Sequence, residues 1–265
     1  MKNATRRGFV AGSALVAAGA MAGVAHAQEA AAPQEKAGHW SWSEKPADIT
    51  DDQCAEVIDC DVCIIGLGSG GAPSALYAAT HGLKTVVLQK GDHAISNGWC
   101  ANAINNKAWL ESGGEPFDTA ALFSDFVQYT NGRENGTLVK IFIERGGEVM
   151  NWVLDQTTEI EPQIVEKGQT IGWFNADDFQ SRYMRFAELL TLMSDKAEAA
   201  GCQMLWDTPA VRLCTSEDGA TVTGAIGQNA AGEYVKVNAA KGVLLACGDV
   251  TDDPEMTECF CPLLL

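Results

Sequence analysis

A glycine-rich turn carries the residue spacing in this chain that best fits a chemical role. Gly66, Gly68 and Gly71 satisfy the pattern G-x-G-x-x-G directly after the apolar run 63–65. The first glycine of this pattern permits a tight turn, the second lets a pyrophosphate approach the backbone, and the third lets helix and strand pack closely. Unpaired N–H groups at the start of the next helix then bind the phosphates. The spacing therefore predicts a dinucleotide site.

The residues around the turn supply the elements that must position it. Pro73 falls in the first helical turn, where its missing N–H is not needed, and Gly82 ends an alanine-rich helix. The run 85–88 has the β-branched character of a buried parallel strand. This βαβ order favours a dinucleotide site, for NAD or for FAD, over an accidental glycine turn. Gln89 then stands where an acid usually binds the ribose, and its amide oxygen can accept the same hydrogen bond without a charge.

The remaining chain predicts a large α/β domain. Asp118 can cap one helix, and apolar spacing predicts two longer helices over 137–154 and 178–200. The pair Gly146-Gly147 is expected to be a weak point of the first of these two. The loop 91–106 lacks apolar periodicity, and long loops of this kind usually have a function. An apolar strand over 242–247 ends where ligands bind in open α/β sheets. Four short strands that indicate an antiparallel β-meander cover 204–206, 210–213, 222–226 and 234–237.

The composition excludes some partners and shows no metal-ligand spacing. A formal net charge of -17 argues against binding to nucleic acid or to anionic membranes. The nine cysteines include the pairs Cys60/Cys63 and Cys259/Cys261, but neither pair has a second pair at metal-ligand spacing. The cysteines are therefore interpreted as buried thiols. A disulfide between Cys54 and Cys60, or within the C-terminal pair, stays open as an alternative.

Residues 1–27 resemble an export leader. A basic start and a mild apolar stretch lead to Ala25-His26-Ala27, a small-x-small cleavage pattern. The pair Arg6-Arg7 before an apolar residue resembles the twin-arginine signal, with an ordinary secretory leader as the alternative. The periplasm or the extracytoplasmic cell surface is the expected location. After cleavage, no apolar stretch reaches the roughly 18 residues that span a bilayer. Residues 28–58 are interpreted as a polar N-terminal arm and residues 59–265 as the folded domain.

Three segments together resemble the flavoprotein subunits of fumarate reductase and succinate dehydrogenase. They are the turn 66–71 with Gln89-Lys90, the loop 96–105, and the strand 239–249 with the residues that follow it. The resemblance implies a Rossmann-like FAD-binding domain of the glutathione-reductase type, with a parallel sheet and an inserted antiparallel β-meander. It favours FAD over NAD as the cofactor. Gln89 departs from the family's acid, Cys247 from its Thr, and Asp249 from its second Gly.

The resemblance also implies which residues hold FAD. The pyrophosphate lies at the glycine turn, the adenosine beside the second strand and the meander, and the ribityl and flavin portions along the loop and the last strand. The residues implied are Gly66, Gly68, Ser69, Gly70, Gly71, Gln89, Lys90, Ser96, Asn97, Gly98, Ala103, Asn105, Val211, Ala246, Gly248 and Asp249.

The resemblance assigns no catalytic residue to this chain. In the family, the capping domain and the arginines and histidine that bind a dicarboxylate and deliver a proton follow the point where this sequence ends. The chain is therefore similar to the N-terminal half of the family, truncated at its C-terminus. His39, His81 and His93 are expected to be hydrogen-bonded within the protein or to face solvent, and Arg182 and Arg185 to lie on a solvated helix face.

Three hypotheses on function follow. The first is an exported FAD-dependent oxidoreductase that transfers hydride between the flavin and an activated C=C bond of a small organic acid or ketone, and that is incomplete in this chain. In the second, another polypeptide supplies the missing half, and an electron-donor protein is a further partner. The third is a non-catalytic FAD-binding fragment or flavin carrier. The apolar residues 260–265 predict an isolated product of poor solubility that loses FAD readily.

Overall fold

The computed structural model describes residues 40–96, 98, 100–165, 170–172 and 179–261. The leader and the first part of the arm lie outside these residues. The chain forms two compact units, Pro46–Val250 and a smaller unit that combines Met1–Lys45 with Thr251–Leu265. In the described ranges, no helix is long and apolar enough to cross a membrane.

The larger unit alternates strands and helices in the order predicted for a dinucleotide-binding domain. Its elements are β1 (Cys54–Ile65), α1 (Gly71–Thr80), β2 (Thr85–Leu88), β3 (Cys100–Asn102), α2 (Lys107–Glu111), α3 (Thr119–Thr130), α4 (Gly136–Gln156), β4 (Gln163–Val165), β5 (Thr170–Gly172), α5 (Phe179–Ala199), β6 (Gln203–Leu205), β7 (Ala210–Thr215), β8 (Val222–Gln228) and β9 (Tyr234–Leu245). β1 begins within the segment assigned to the arm.

A six-stranded sheet has the order β6-β2-β1-β9-β8-β7, and β3, β5 and β4 form a separate three-stranded sheet. β6, β2, β1 and β9 are parallel, whereas β7, β8 and β9 are antiparallel. The fold prediction of a parallel sheet with an antiparallel meander is confirmed. Two details differ. The predicted strands 234–237 and 242–247 are one long strand, β9, and β6 extends the parallel part instead of the meander.

Side chains that alternate along β1 and β2 supply two hydrophobic cores, one on each face of the sheet. Ile64 and Val87 face the core to which α1 and α5 contribute Leu76 and Leu190. Their neighbours in the two strands, among them Cys63, face a second core shared with the meander. Because successive side chains of a strand point to opposite faces, an apolar run with no polar interruption is the expected sequence of a strand buried on both sides.

Side-chain caps begin the helices that follow the loop. Asp118 accepts hydrogen bonds from the N–H groups of Ala120 and Ala121, as its N-cap position predicts. α4 begins one residue earlier than predicted, because Asn135 caps it by accepting from the backbone of Thr137 and Leu138.

The structure excludes one of the two disulfides left open by the sequence. Cys54 and Cys60 lie six residues apart on the extended strand β1, which places them about 20 Å apart. A disulfide joins Cα atoms less than about 7 Å apart, so this pair cannot be bridged. Both members of the C-terminal pair are free. Burial raises the pKa of Cys63 and of Cys202 to about 12, which agrees with the interpretation as inert buried thiols for these two. For Cys247 and Cys259 the interpretation is wrong, because both are exposed.

The smaller unit joins the described end of the arm to the helix α6 (Pro254–Phe260). The backbone N–H and the hydroxyl of Ser41 donate to one carboxylate oxygen of Glu255, at 2.8 and 2.5 Å. The ring of Trp42 lies 5.1 Å from that of Phe260. Asp253 caps α6 by accepting from the N–H of Met256 at 2.9 Å.

Candidate cofactor site

The glycine turn connects β1 to α1 and is packed too closely to accept side chains at its ends. Gly66 has a positive φ of 93°, and a Cβ there would lie 2.5 Å from the carbonyl oxygen of Ala246. A Cβ on Gly71 would lie 2.0 Å from the carbonyl oxygen of Gly66. Real Cβ contacts stay above about 3 Å, so both glycines are required by the packing of strand, turn and helix.

The middle of the turn is open and presents unpaired donors. Gly70 is the N-cap of α1 and provides no side-chain cap. Within the described residues, the N–H groups of Ser69 and Gly70 have no protein acceptor, and both residues are exposed. On the other side of the turn, a Cβ on Gly68 would lie 3.2 Å from the carbonyl oxygen of Ile95. A pyrophosphate fits this cradle, which consists of Gly68, Ser69 and Gly70, because it needs both free N–H donors and close approach to the backbone.

Gln89 lies under the turn at the end of β2 and is only 4% exposed. Its side-chain oxygen accepts a hydrogen bond from the N–H of Leu67 at 3.0 Å. Its side-chain nitrogen donates to the carbonyl oxygen of His93 at 2.9 Å. The amide thus links the glycine turn to the segment 91–95, a role that the sequence did not predict.

The start of the meander lies beside the end of β2. The N–H of Thr208 donates to the backbone carbonyl of Gln89 at 2.8 Å. Val211, three residues later, occupies an irregularity in the pairing of β7 with β8. The guanidinium of Arg212 donates to the carbonyl oxygens of Pro46 and Ala47, each at 2.6 Å, and contacts the carboxylate of Asp48. This part of the arm is therefore anchored on β7, next to Val211. Lys90, the second residue after β2, is exposed.

The first part of the loop approaches the turn. The hydroxyl of Ser96 donates to the hydroxyl of Ser69 at 3.4 Å and accepts from the N–H of Gly98 at 3.1 Å. A Cβ on Gly98 would lie 3.6 Å from the ring of Phe186 on α5. Asn97 lies outside the described residues. The structure therefore brings Ser96 of the loop next to Ser69 of the glycine turn.

The second part of the loop is a rigid turn whose polar groups are paired within the protein. Ala103 is fully buried, and its carbonyl oxygen accepts from the side-chain nitrogen of Asn106 at 2.7 Å. Asn105 has a left-handed φ of 55°. Its side-chain oxygen accepts from the N–H of Phe117 at 2.7 Å, and its nitrogen donates to the carbonyl of Phe117 at 3.2 Å. The Asn105 amide therefore holds the shape of the turn.

Helix α4 packs directly on this turn at a glycine. A Cβ on Gly147 would lie 2.3 Å from the carbonyl oxygen of Ile104, and the side chain of Asn151 accepts from the N–H of Lys107 at 2.7 Å. The sequence suggested that Gly146-Gly147 is a weak point of the helix. Gly147 is instead a close-approach position, and Asn106 and Gly147 are the supporting residues that sequence reasoning missed. A polar pair before a helix and a glycine inside one are the signals that could have indicated them.

The end of β9 lies at the same glycine turn as the ends of β1 and β2. The N–H of Ala246 donates to the carbonyl of Ile65 at 2.8 Å, and its methyl carbon lies 3.5 Å from the Cβ position of Gly71. Gly248 has a positive φ of 85°, and both it and Asp249 are exposed. The carboxyl ends of β1, β2 and β9 therefore meet at the glycine turn, as the sequence predicts.

The described histidines are engaged elsewhere on the surface. The ring of His81 stacks on Tyr77 with centroids 3.9 Å apart. The ring nitrogen of His93 lies 2.5 Å from the carboxylate of Asp92, and this contact lowers the pKa of Asp92. Both histidines are exposed, as expected from the sequence. His39 and the side chains of Arg182 and Arg185 lie outside the described residues. Among those described, no cluster of His, Cys, Asp and Glu has the arrangement of a metal site.

Comparison with known proteins gives the family and the fold. Residues 61–262 match the family described as FAD binding domain. The chain is 26% identical over 200 residues to vinyl phenol reductase of Lactiplantibacillus plantarum, covering 75% of this chain and 39% of that protein. It is also 26% identical over 266 residues to digoxin reductase of Eggerthella lenta, covering 93% and 45%. The chain thus spans less than half the length of these relatives.

Solved structures share the fold. The open form of a flavocytochrome c3 fumarate reductase matches with a TM-score of 0.63 and 20% identity, covering 83% of this chain and 41% of that one. A 3-ketosteroid-Δ4-(5α)-dehydrogenase from Rhodococcus jostii RHA1 matches with a TM-score of 0.63 and 18% identity, covering 77% and 49%. With the open glycine cradle and the family match over 61–262, the chain belongs to the FAD binding domain family, and its cofactor is FAD.

Proposed function

We propose that this chain forms the FAD-binding part of an oxidoreductase that reduces an activated C=C bond of a small organic acid or ketone. Two relatives are named for the reduction of vinyl phenol and of digoxin, and one protein of the same fold is a fumarate reductase. Vinyl phenol and fumarate both contain a C=C bond. The observation that carries the proposal is the open cradle at Gly68, Ser69 and Gly70 within a chain of this family.

The residues of the cradle bind and orient the cofactor. The N–H groups of Ser69 and Gly70, at the positive end of α1, stabilise the negative charge of a pyrophosphate. The absence of a side chain at Gly68 avoids a close contact with the carbonyl oxygen of Ile95 and keeps the backbone of the turn accessible to the phosphates. When bound, the flavin supplies the hydride chemistry, which the protein orients and tunes.

We further propose that the groups that bind substrate and deliver a proton come from the portion of such proteins that this chain does not match. Two observations support this. The chain matches only 39% and 45% of the two relatives. The described histidines are paired with Tyr77 and Asp92 rather than directed at the glycine turn. The same observations support the second candidate function, a FAD-binding protein without turnover.

Cofactor binding is tested with a glycine variant and a matched control. Gly68→Val places a branched side chain against the Ile95 carbonyl, so we expect the absorption bands of bound flavin near about 370 and 450 nm to disappear from the purified protein. Gly146→Ala, which meets only ordinary contacts at 3.8 Å and beyond, should keep them. Retention of FAD by Gly68→Val with wild-type affinity would show that the cradle is wrongly placed.

Turnover is tested on the FAD-loaded protein. Under anaerobic conditions, reduced protein is mixed with fumarate, with a vinyl phenol or with a ketone that carries a conjugated C=C bond. Reoxidation faster than that of free reduced FAD by any of these supports the reductase proposal. Reoxidation no faster than the free cofactor would favour either the protein without turnover or a chain that needs the groups that bind substrate from another polypeptide.

We also propose export by the twin-arginine route, supported by Arg6-Arg7 and by the small-x-small pattern at Ala25 to Ala27. Replacing both arginines by lysine should leave the uncleaved protein in the cytoplasm, and a cell-fractionation blot measures this. Unchanged export of the double variant would indicate the ordinary secretory route.

A further inference from the structure

The amide of Gln89 is buried at the position where dinucleotide-binding motifs usually have an acid that accepts hydrogen bonds from the ribose. We propose that Gln89 is instead a positioning residue: its amide ties the glycine turn to the segment 91–95 and sets the width of the cradle before FAD binds. The proposal concerns cofactor binding alone and does not depend on which bond the enzyme reduces.

The first half of the link acts on the glycine turn. Leu67 lies between the first two glycines of the motif, and its side chain is 1% exposed. Its N–H donates to the Gln89 side-chain oxygen at 3.0 Å. This bond satisfies a buried donor that would otherwise be unpaired, and it fixes the orientation of the peptide between Gly66 and Leu67.

The second hydrogen bond of the Gln89 amide acts on the segment 91–95, which lies opposite the glycine turn. The Gln89 side-chain nitrogen donates to the carbonyl of His93 at 2.9 Å, two residues before Ile95. The Ile95 carbonyl is the atom nearest to the Cβ position of Gly68, at 3.2 Å. One amide therefore bonds both to the glycine turn at Leu67 and to the segment 91–95, whose Ile95 carbonyl limits the space at Gly68.

Two backbone hydrogen bonds hold Gln89 in place at the start of this link. Its N–H donates to the carbonyl of Leu205 at 3.0 Å, and its carbonyl accepts from Thr208 at 2.8 Å. The residue is thus held between β6 and the start of the meander. A side chain that leaves such a rigid point and is hydrogen-bonded at both ends has little freedom, so it can preorganise the turn.

The link favours an amide over the carboxylate usual in this motif, because of these two groups only the amide both accepts and donates at neutral pH. A carboxylate at position 89 could accept from Leu67 but would face the His93 carbonyl with a second acceptor. It would also bury a charge in a residue that is 4% exposed. The usual acid of the motif would therefore be harmful in this chain, which is the reverse of what the motif by itself suggests.

The test compares Gln89→Glu and Gln89→Leu with Thr157→Val, a control that removes a buried hydrogen bond from the Thr157 hydroxyl to the Val153 carbonyl at the C-terminal end of α4. Two quantities are measured on the full chain. Titration with FAD followed by flavin fluorescence gives the dissociation constant. Hydrogen exchange of the Leu67 amide in the FAD-free protein reports the link without any cofactor.

We expect Gln89→Glu and Gln89→Leu to weaken FAD binding about tenfold, since a partly populated competent turn lowers the apparent affinity in proportion. The Leu67 amide should exchange faster in Gln89→Leu than in the wild type, and Thr157→Val should change neither quantity. Binding by Gln89→Glu as tight as or tighter than the wild type would overturn the proposal in favour of a ribose acceptor. Unchanged Leu67 exchange in Gln89→Leu, or equal weakening by Thr157→Val, would also overturn it. Because exchange needs no FAD, failure of FAD binding in the wild type is distinguished from failure of the link.

Discussion

Two adjacent glycines in α4 should respond in opposite ways to the same substitution. An alanine in the interior of a helix is about 1 kcal/mol more favourable than glycine. At Gly146 the new Cβ would meet only Phe142 at 3.8 Å and the backbone nitrogen of Ile104 at 4.0 Å, which are ordinary contacts. Gly146→Ala should therefore stabilise the protein by about 1 kcal/mol.

At Gly147 the Cβ would lie 2.3 Å from the carbonyl oxygen of Ile104 and 3.1 Å from the carbonyl oxygen of Asn105. The contact is with backbone, and the turn is held by the hydrogen bonds of Asn105 with Phe117, so it cannot yield as a flexible side chain would. Overpacking of this kind costs about 1–3 kcal/mol, and a clash with backbone belongs at the upper end. After the gain in helix propensity, Gly147→Ala should destabilise the protein by about 2 kcal/mol.

Thermal unfolding of the two variants tests this reasoning. For a chain of this size, 1 kcal/mol shifts Tm by about 2–4 °C. Gly146→Ala should therefore raise Tm by about 2–4 °C, whereas Gly147→Ala should lower it by about 4–8 °C. An increase in Tm for Gly147→Ala similar to that of Gly146→Ala would refute the close approach of α4 to the loop.

Two more outcomes follow from the titration of side chains. In native protein at about pH 8, a thiol reagent should modify the exposed Cys247 and leave Cys63 and Cys202 unmodified, because burial raises the pKa of these two to about 12. Mass spectrometry of the labelled peptides measures this. Rapid labelling of Cys63 would contradict its burial. The hydrogen bond from Lys241 lowers the pKa of Asp61, so the stability it contributes is present above about pH 4 and is lost as the pH falls below that value. Asp61→Asn should therefore flatten the acid side of the Tm profile, and Lys241→Gln should do the same; a profile unchanged in both variants would show that the pair is not formed.

The sequence by itself determined the nucleotide-binding architecture. Only glycine fits at positions 66 and 71, because the geometry of the turn excludes a Cβ, and the residue type therefore indicates the turn directly. The apolar runs of β1 and β2 have the length and pattern of strands buried on both faces. Caps such as Asp118 act on the backbone two and three residues away. All these signals are local, so they can be read within a short window of residues.

Only the tertiary structure decided what the polar side chains of the site do. The contact of Gln89 and Asn105 with the cofactor stays a prediction, and the structure adds that their amides bond to Leu67, His93 and Phe117. Hydrogen-bond partners of this kind depend on which backbone groups the fold brings into reach. They lie as far as 22 residues away along the chain, as in the pair Leu67 and Gln89.

The same holds for packing. Whether a glycine inside a helix weakens it or permits a close approach depends on what lies opposite, which for Gly147 is the carbonyl of Ile104. The impossibility of a disulfide between Cys54 and Cys60 follows from their common strand, and not from their spacing alone. Residue types determine the local conformation and the class of ligand, whereas the contacts between distant segments determine the width and rigidity of the site.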